Sequence, residues 1–112
     1  MQKRHIDKSI YFKEQELYTQ KFVIPYLKKF IELGEQTDVL EIGCAEAGNL
    51  KPFLELNCRV TGIDISNAKI ENAKKFYKYH KKRNKIDLVC QDIYKANLHD
   101  KKFDLIIMRD VI

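Results

Sequence analysis

Three acids in this chain sit where a ligand's hydroxyl and amino groups could be read. Glu41 falls inside the apolar run Val39-Leu40-Glu41-Ile42, Asp64 closes Arg59-Val-Thr-Gly-Ile-Asp, and Asp92 follows Ile86-Asp-Leu-Val-Cys. A carboxylate offers only acceptors, so acids at such places suit a ligand's hydroxyl or amino groups. Between the first two lies a small-residue turn, Gly43-Cys44-Ala45-Glu46-Ala47-Gly48. Small residues there let a ligand approach bare backbone at the start of a helix.

These positions need elements that hold them on one rim. Asp38 to Ile42 is expected as a first strand, and Asn49 to Leu56 as a short helix in which Pro52 is tolerated in the first turn. Arg59 to Ile65 forms a second strand, and Ser66 caps a long helix running to about Arg83. Its predicted apolar face is Ile70, Ala73, Phe76 or Tyr77, and His80. Ile86 to Cys90 is a third strand, 93–102 a loop, and Phe103 to Met108 a fourth strand. Ahead of these, Glu14 to Leu33 carries apolar residues at helical spacing. Pro25 should kink or split that helix and Gly34 should stop it. Residues 1–13 read as an extended arm or short turn around Ile10, Tyr11 and Phe12.

Strands alternating with helices predict an α/β, Rossmann-like three-layer domain with a parallel sheet and right-handed crossovers. The apolar runs of strands one, two and four suit strands buried on both faces. The expected division is an N-terminal arm and helix, 1–37, before a domain spanning 38–112. Strand four would leave an apolar edge, so the domain is expected to be truncated there and prone to self-association through that edge.

Composition narrows the class. With 112 residues, 45% hydrophobic and 33% charged, the chain fits one soluble domain. No apolar run reaches the roughly 18–20 residues of a membrane span, and the N-terminus lacks a signal-peptide core. Cys44, Cys58 and Cys90 form no CxxC pair, so no metal site is expected. Reduced thiols in a cytoplasmic protein are the expectation. Cys44 and Cys90 read as small buried hydrophobes rather than nucleophiles. The net charge of +5 is concentrated in the segment from Lys69 to Lys85. With Phe76, Tyr77 and Tyr79 interleaved, that segment could be the face of a non-catalytic nucleic-acid-binding module. A solvated helix face is the commoner use of such lysines.

The succession VLEIGCAEAG, VTGIDIS, LVCQDI and FDLIIMRDVI resembles the class I S-adenosylmethionine-dependent methyltransferases. The resemblance covers Asp38 to Ile112 and implies sheet order 3-2-1-4. It further implies methyl transfer from S-adenosylmethionine, leaving S-adenosylhomocysteine. By this resemblance Glu41, Gly43, Cys44, Ala45 and Gly48 belong to the glycine-rich loop, whose backbone packs against the cofactor's methionine part. Asp64 binds the ribose hydroxyls and Ile65 lies against the adenine. Asp92 takes the adenine amino group, Ile93 lies beside it, and Arg109 stands near the methionine carboxylate and the acceptor. The sequence departs from the family at Ala45 and Ala47, where glycine is usual. It names no catalytic base. The acceptor is expected to be a small molecule, with RNA or protein as alternatives, approaching near Arg109 and Asp110. Tyr11 and Phe12 could form a lid. Gly43-x-Ala45-x-x-Gly48 also approximates a dinucleotide-binding loop, but Glu41 would set negative charge beside a pyrophosphate and Asp92 would have no role.

Overall fold

The computed structural model describes residues 8–96, 98 and 101–108. Arg109, Asp110 and the arm before Lys8 lie outside the described residues, as do His5 and His99. The four strands are β1 (Asp38–Ile42), β2 (Arg59–Asp64), β3 (Ile86–Cys90) and β4 (Leu105–Ile107). They make one parallel sheet in the order β3-β2-β1-β4, the Rossmann-like arrangement expected. Register follows burial. Val39 pairs with Val60, and both are almost wholly buried. Slipping the pairing by one residue would turn those side chains to the wrong face. At the amino end of the sheet, Arg59 grips Asp38 with two hydrogen bonds of 2.7 and 2.9 Å. The Asp38 N–H donates to Asp104 there at 2.8 Å, which fixes the start of β4.

Helices pack on β1 and β2 through one apolar cluster that contains Phe12, Phe53, Ile70, Ala73 and Tyr77 together with Val39, Val60 and Ile107. They are α1 (Lys8–Tyr18), α2 (Ile24–Leu27), α3 (Lys51–Glu55) and α4 (Asn67–Tyr77). β4 departs from the expectation that it is buried on both faces: Ile107 is buried, while Ile106 is 54% exposed.

The N-terminal region also differs from its expectation. Ile10, Tyr11 and Phe12 are not in an arm; they lie within α1. Between α1 and α2 the chain widens into a π-helical turn, Thr19–Val23, closed by the Ile24 N–H donating to the Thr19 carbonyl. Pro25 follows directly. Its ring would crowd the carbonyl four residues back in a regular helix, and the widened turn accommodates it. The helix ends at Leu27 rather than at Gly34, so Phe30 stands outside it and is 70% exposed. Gly34 belongs to a separate turn, in which its carbonyl accepts from the Thr37 N–H.

α4 likewise stops six residues short of Arg83. Its start is as expected, with the Ser66 hydroxyl accepting from the Lys69 N–H. Beyond Tyr77, His80 Nδ1 accepts from the Lys82 N–H, a local bond that competes with helix. Desolvation holds this imidazole below its ordinary pKa, in keeping with an accepting, neutral ring. Lys82 Nζ then donates to the Glu55 carbonyl and Lys85 Nζ to the Asn57 carbonyl, where two cations close the end of α3.

α1 crosses the chain at Gly48. A Cβ placed there would lie 2.5 Å from the Phe12 carbonyl oxygen and 3.0 Å from Gln15 Cβ. Backbone cannot yield as a flexible side chain would, so Gly48→Ala should push α1 outward. We expect a loss of about 1–3 kcal/mol in denaturant unfolding. An unchanged midpoint would contradict this packing.

Candidate functional site

Parallel pairing carries the ends of β1, β2 and β3 to one rim. Ile42 stands beside Ile63, and Asp64 beside Cys90. The turn after β1 folds back onto β2: the Gly43 and Cys44 N–H groups both donate to the Ile63 carbonyl, at 2.8 and 3.0 Å. Gly43 has φ 73°, a conformation glycine adopts without cost. Ala45 and Ala47, with φ 51° and 67°, also lie in the left-handed region. These are the two positions where the sequence departs from glycine. Alanine there carries the strain of the same backbone, on the order of 1–2 kcal/mol each.

Several contacts hold that strained turn. Asp64 Oδ2 accepts from the Ala45 N–H at 2.8 Å, while its Oδ1 accepts from the Ser66 N–H at 2.9 Å. One carboxylate thus ties the turn after β1 to the start of α4. The Tyr77 hydroxyl donates to the Ala47 carbonyl from the far side. Burial above all, with nearby acids, raises the Tyr77 pKa well above its usual value, so it remains a donor. Gly62 admits the turn against β2, since a Cβ there would meet Cys44 Sγ at 2.8 Å.

A cavity of about 620 Å³ opens on this rim. Of the residues singled out in the sequence, it gathers Gly43, Ala45, Asp64, Ile65, Asp92 and Ile93 in one wall. Asp92 Oδ1 accepts from the Tyr94 N–H at 2.9 Å, which turns the chain after β3. Ile65 is 74% exposed, an apolar surface beside two acids.

Glu41, Cys44 and Gly48 do not line the cavity. Glu41 lies beneath the turn, where its Oε2 accepts from Asn49 Nδ2 at 2.8 Å; Asn49 Oδ1 in turn accepts from the Thr19 hydroxyl at 2.9 Å. All three residues are about 1% exposed, so this chain of polar contacts is internal. Cys44 is buried, and desolvation raises its thiol pKa far above the ordinary range. Gly48 serves the crossing of α1. Cys90 is exposed rather than buried.

The cavity wall also contains residues to which the sequence reading gave no such place: Lys8, Glu46, Lys69 and Gln91. Glu46 left a signal, being the one charged residue in an otherwise small and apolar turn. Tyr11 lines the cavity as well, whereas its neighbour Phe12 stacks on Phe76 at 4.4 Å inside the core.

Residues 39–112 match the model of the methyltransferase domain family. The chain belongs to that family. Among solved structures, the plantazolicin methyltransferase BpumL in complex with SAH is similar at 26% identity and TM-score 0.66, over 95% of this chain and 39% of that one. PKMT2 from Rickettsia typhi in complex with AdoHcy follows at 29% identity and TM-score 0.67, over 83% of this chain and 19% of that one. The glycopeptide N-methyltransferase MtfA complexed with S-adenosyl-L-methionine shares the fold at 21% identity and TM-score 0.66, over 80% of this chain and 39% of its own. The chain therefore spans well under half the length of these neighbours. No curated protein matches it. Among the described residues, no helix is long and apolar enough to cross a membrane.

The thiols give a direct check on this packing. Cys90 is exposed, whereas Cys44 and Cys58 are buried with thiol pKa values raised chiefly by desolvation. Thiolate is the reactive form. A maleimide at neutral pH should therefore label Cys90 alone in the folded chain and all three cysteines after denaturation, as read by peptide mass spectrometry. Rapid labelling of Cys44 in the folded chain would contradict the placement of the turn.

Proposed function

We propose that this chain forms the cofactor-binding part of an S-adenosylmethionine-dependent methyltransferase. The observation that carries the reading is the union of Asp64, Asp92, Gly43 and Ala45 in the wall of one cavity. Its volume lies within the range of small-molecule sites, about 300–1,000 Å³.

The residues present fit the cofactor. Each Asp64 oxygen accepts one backbone N–H, and a carboxylate has about four acceptor sites in all. Capacity remains for both ribose hydroxyls. Asp92 spends one acceptor site on Tyr94 N–H and retains others for an exocyclic amine. Ile65 and Ile93, both in the cavity wall, offer apolar surface to the purine. When bound, S-adenosylmethionine supplies a methyl group already activated on a sulfonium. The chain's own task is then to hold that end still and in line with an acceptor, and alignment alone can supply much of the rate.

The other readings fare worse on particular residues. A pyrophosphate at the turn would meet the fully buried carboxylate of Glu46. A nucleic acid on the basic segment would compete for Lys82 and Lys85, which already donate to backbone carbonyls. The acceptor in our reading is a small molecule, with RNA or protein as alternatives. By the resemblance, Arg109 serves the methionine carboxylate and the acceptor side.

Calorimetry with S-adenosylhomocysteine tests the reading. The folded chain should bind it, and Asp64→Ala should weaken binding by tenfold or more, as loss of charge-assisted hydrogen bonds worth about 1.5–3 kcal/mol requires. Circular dichroism checks that the variant folds. A folded chain that takes up no S-adenosylhomocysteine would contradict the proposal.

A further inference from the structure

The outer side of the N-terminal helical segment carries a feature that the cofactor cavity does not use. Tyr18, Phe22, Tyr26 and Phe30 recur every four residues and are 49–70% exposed, with Leu17 beside them at 53%. Residues four apart advance about 40° round a regular α-helix, so Tyr26 would stand about 80° from Tyr18. The π turn Thr19–Val23 adds a residue to its turn and takes back most of that drift. The rings therefore keep to one outer ridge. Tyr18 packs on Phe22 and Tyr26 on Phe30, with ring centroids 5.0 and 5.3 Å apart. At about 200 Å² for a whole aromatic side chain, the four leave roughly 400–500 Å² to solvent. Exposed apolar patches of that size mark interaction surfaces.

Charge decides what covers it. Lys21, Lys28 and Lys29 are exposed along the ridge, and Lys21 Nζ lies 5.6 Å from the centroid of the Phe22 ring. Lys13 pairs with Glu16 at 3.6 Å, and Glu14 is the one exposed acid between Lys13 and Phe30. A second copy docked here would set its own lysines against these. A single-stranded nucleic acid would need open ring faces for its bases to stack on. These rings lean on one another at 48° and 58°, which takes up part of each face. An anionic lipid surface suits both the rings and the lysines. Long lysine stems reach the headgroups while the rings enter the boundary between headgroup and acyl chain. Each lysine near such a surface adds to the attraction.

We propose that the ridge from Tyr18 to Phe30 docks the protein on an anionic membrane surface. Phe22 and Phe30 are its apolar anchors, and Lys21, Lys28 and Lys29 meet the lipid headgroups. The helical segment then lies in the plane of the interface rather than across it. The ridge and the cofactor cavity share no residue, so the docking surface stands apart from the cofactor reading.

Sedimentation with lipid vesicles tests this on the whole chain. The native chain should co-sediment with phosphatidylcholine vesicles that contain phosphatidylserine, and far less with phosphatidylcholine alone. Added salt should weaken the binding. Replacing both anchors, Phe22→Ser with Phe30→Ser, should weaken it at least about tenfold, and so should Lys28→Glu with Lys29→Glu. All four of these side chains are exposed, so circular dichroism should show the native fold in both variants. The chain has no tryptophan, so Phe22→Trp supplies a single reporter. Its emission should move to shorter wavelength on the anionic vesicles.

Failure of the native chain to sediment with anionic vesicles would overturn the proposal, whether or not the chain binds S-adenosylhomocysteine. Vesicle binding that survives the loss of both phenylalanines would overturn the ridge as the docking surface and leave only the general attraction of a basic chain. Dimerisation, or binding of a single-stranded oligonucleotide, that the same phenylalanine changes abolish would, without vesicle binding, assign the ridge to a second copy or to nucleic acid instead.

Discussion

The Asp64 carboxylate is the contact on which the rim depends. It ends β2, accepts from the Ala45 N–H on one side and accepts from the Ser66 N–H on the other. Charge-assisted bonds of this kind are roughly twice as strong as neutral ones. They work against a turn that carries two alanines in the left-handed region. The same turn is drawn onto β2 by two N–H groups that share the Ile63 carbonyl. The strain is thus held from several directions, which is the condition under which strained backbone persists at functional sites. Asp64 therefore has two tasks in this account: it fixes the turn and it keeps acceptor sites open toward the cavity.

The N-terminal helix depends on that turn in its own way. α1 reaches the strand-to-helix connection only because Gly48 carries no side chain beneath the Phe12 carbonyl. A buried polar chain then runs from Thr19 in the π turn, through Asn49, to Glu41 on β1. Glu41 is therefore engaged inside the fold through its Oε2. Its position under the turn explains how an acid within a nearly fully buried strand is tolerated, and it also explains why the acid in the cavity wall is Glu46. Lys8 and Tyr11 reach the cavity from the first turn of this same helix. The positioning of the site and the packing of α1 are one arrangement.

The sheet was readable because strands buried between helices must be apolar and must alternate with turn chemistry. β1 and β3 have the expected limits, and the order 3-2-1-4 follows from right-handed crossovers together with the resemblance. Asp64 and Asp92 were readable for a related reason, since the end of a parallel strand faces a ligand crevice. The helix ends were not. Periodicity marks which residues face the core, but it does not show that Pro25 will widen the preceding turn or that His80 will bond to its neighbour's backbone. Cys90 looked apolar in sequence yet sits in β3, which among the described residues pairs with a strand on one side only. Glu41 and Glu46 are five residues apart in one loop motif. Only the backbone path, with positive φ on either side of Glu46, decides which carboxylate joins the cavity wall.

The central claim is one of place: the cofactor binds at the carboxyl rim of the sheet, over the turn that Asp64 holds. Amide chemical shifts recorded while S-adenosylhomocysteine is added test it residue by residue. The account predicts large changes at Gly43, Ala45, Ile65, Ser66 and Ile93, with the amides at the opposite end of the sheet, Arg59, Lys85 and Asp87, left in place. Changes concentrated at that opposite end, with the turn from Gly43 to Ala47 unmoved, would contradict it.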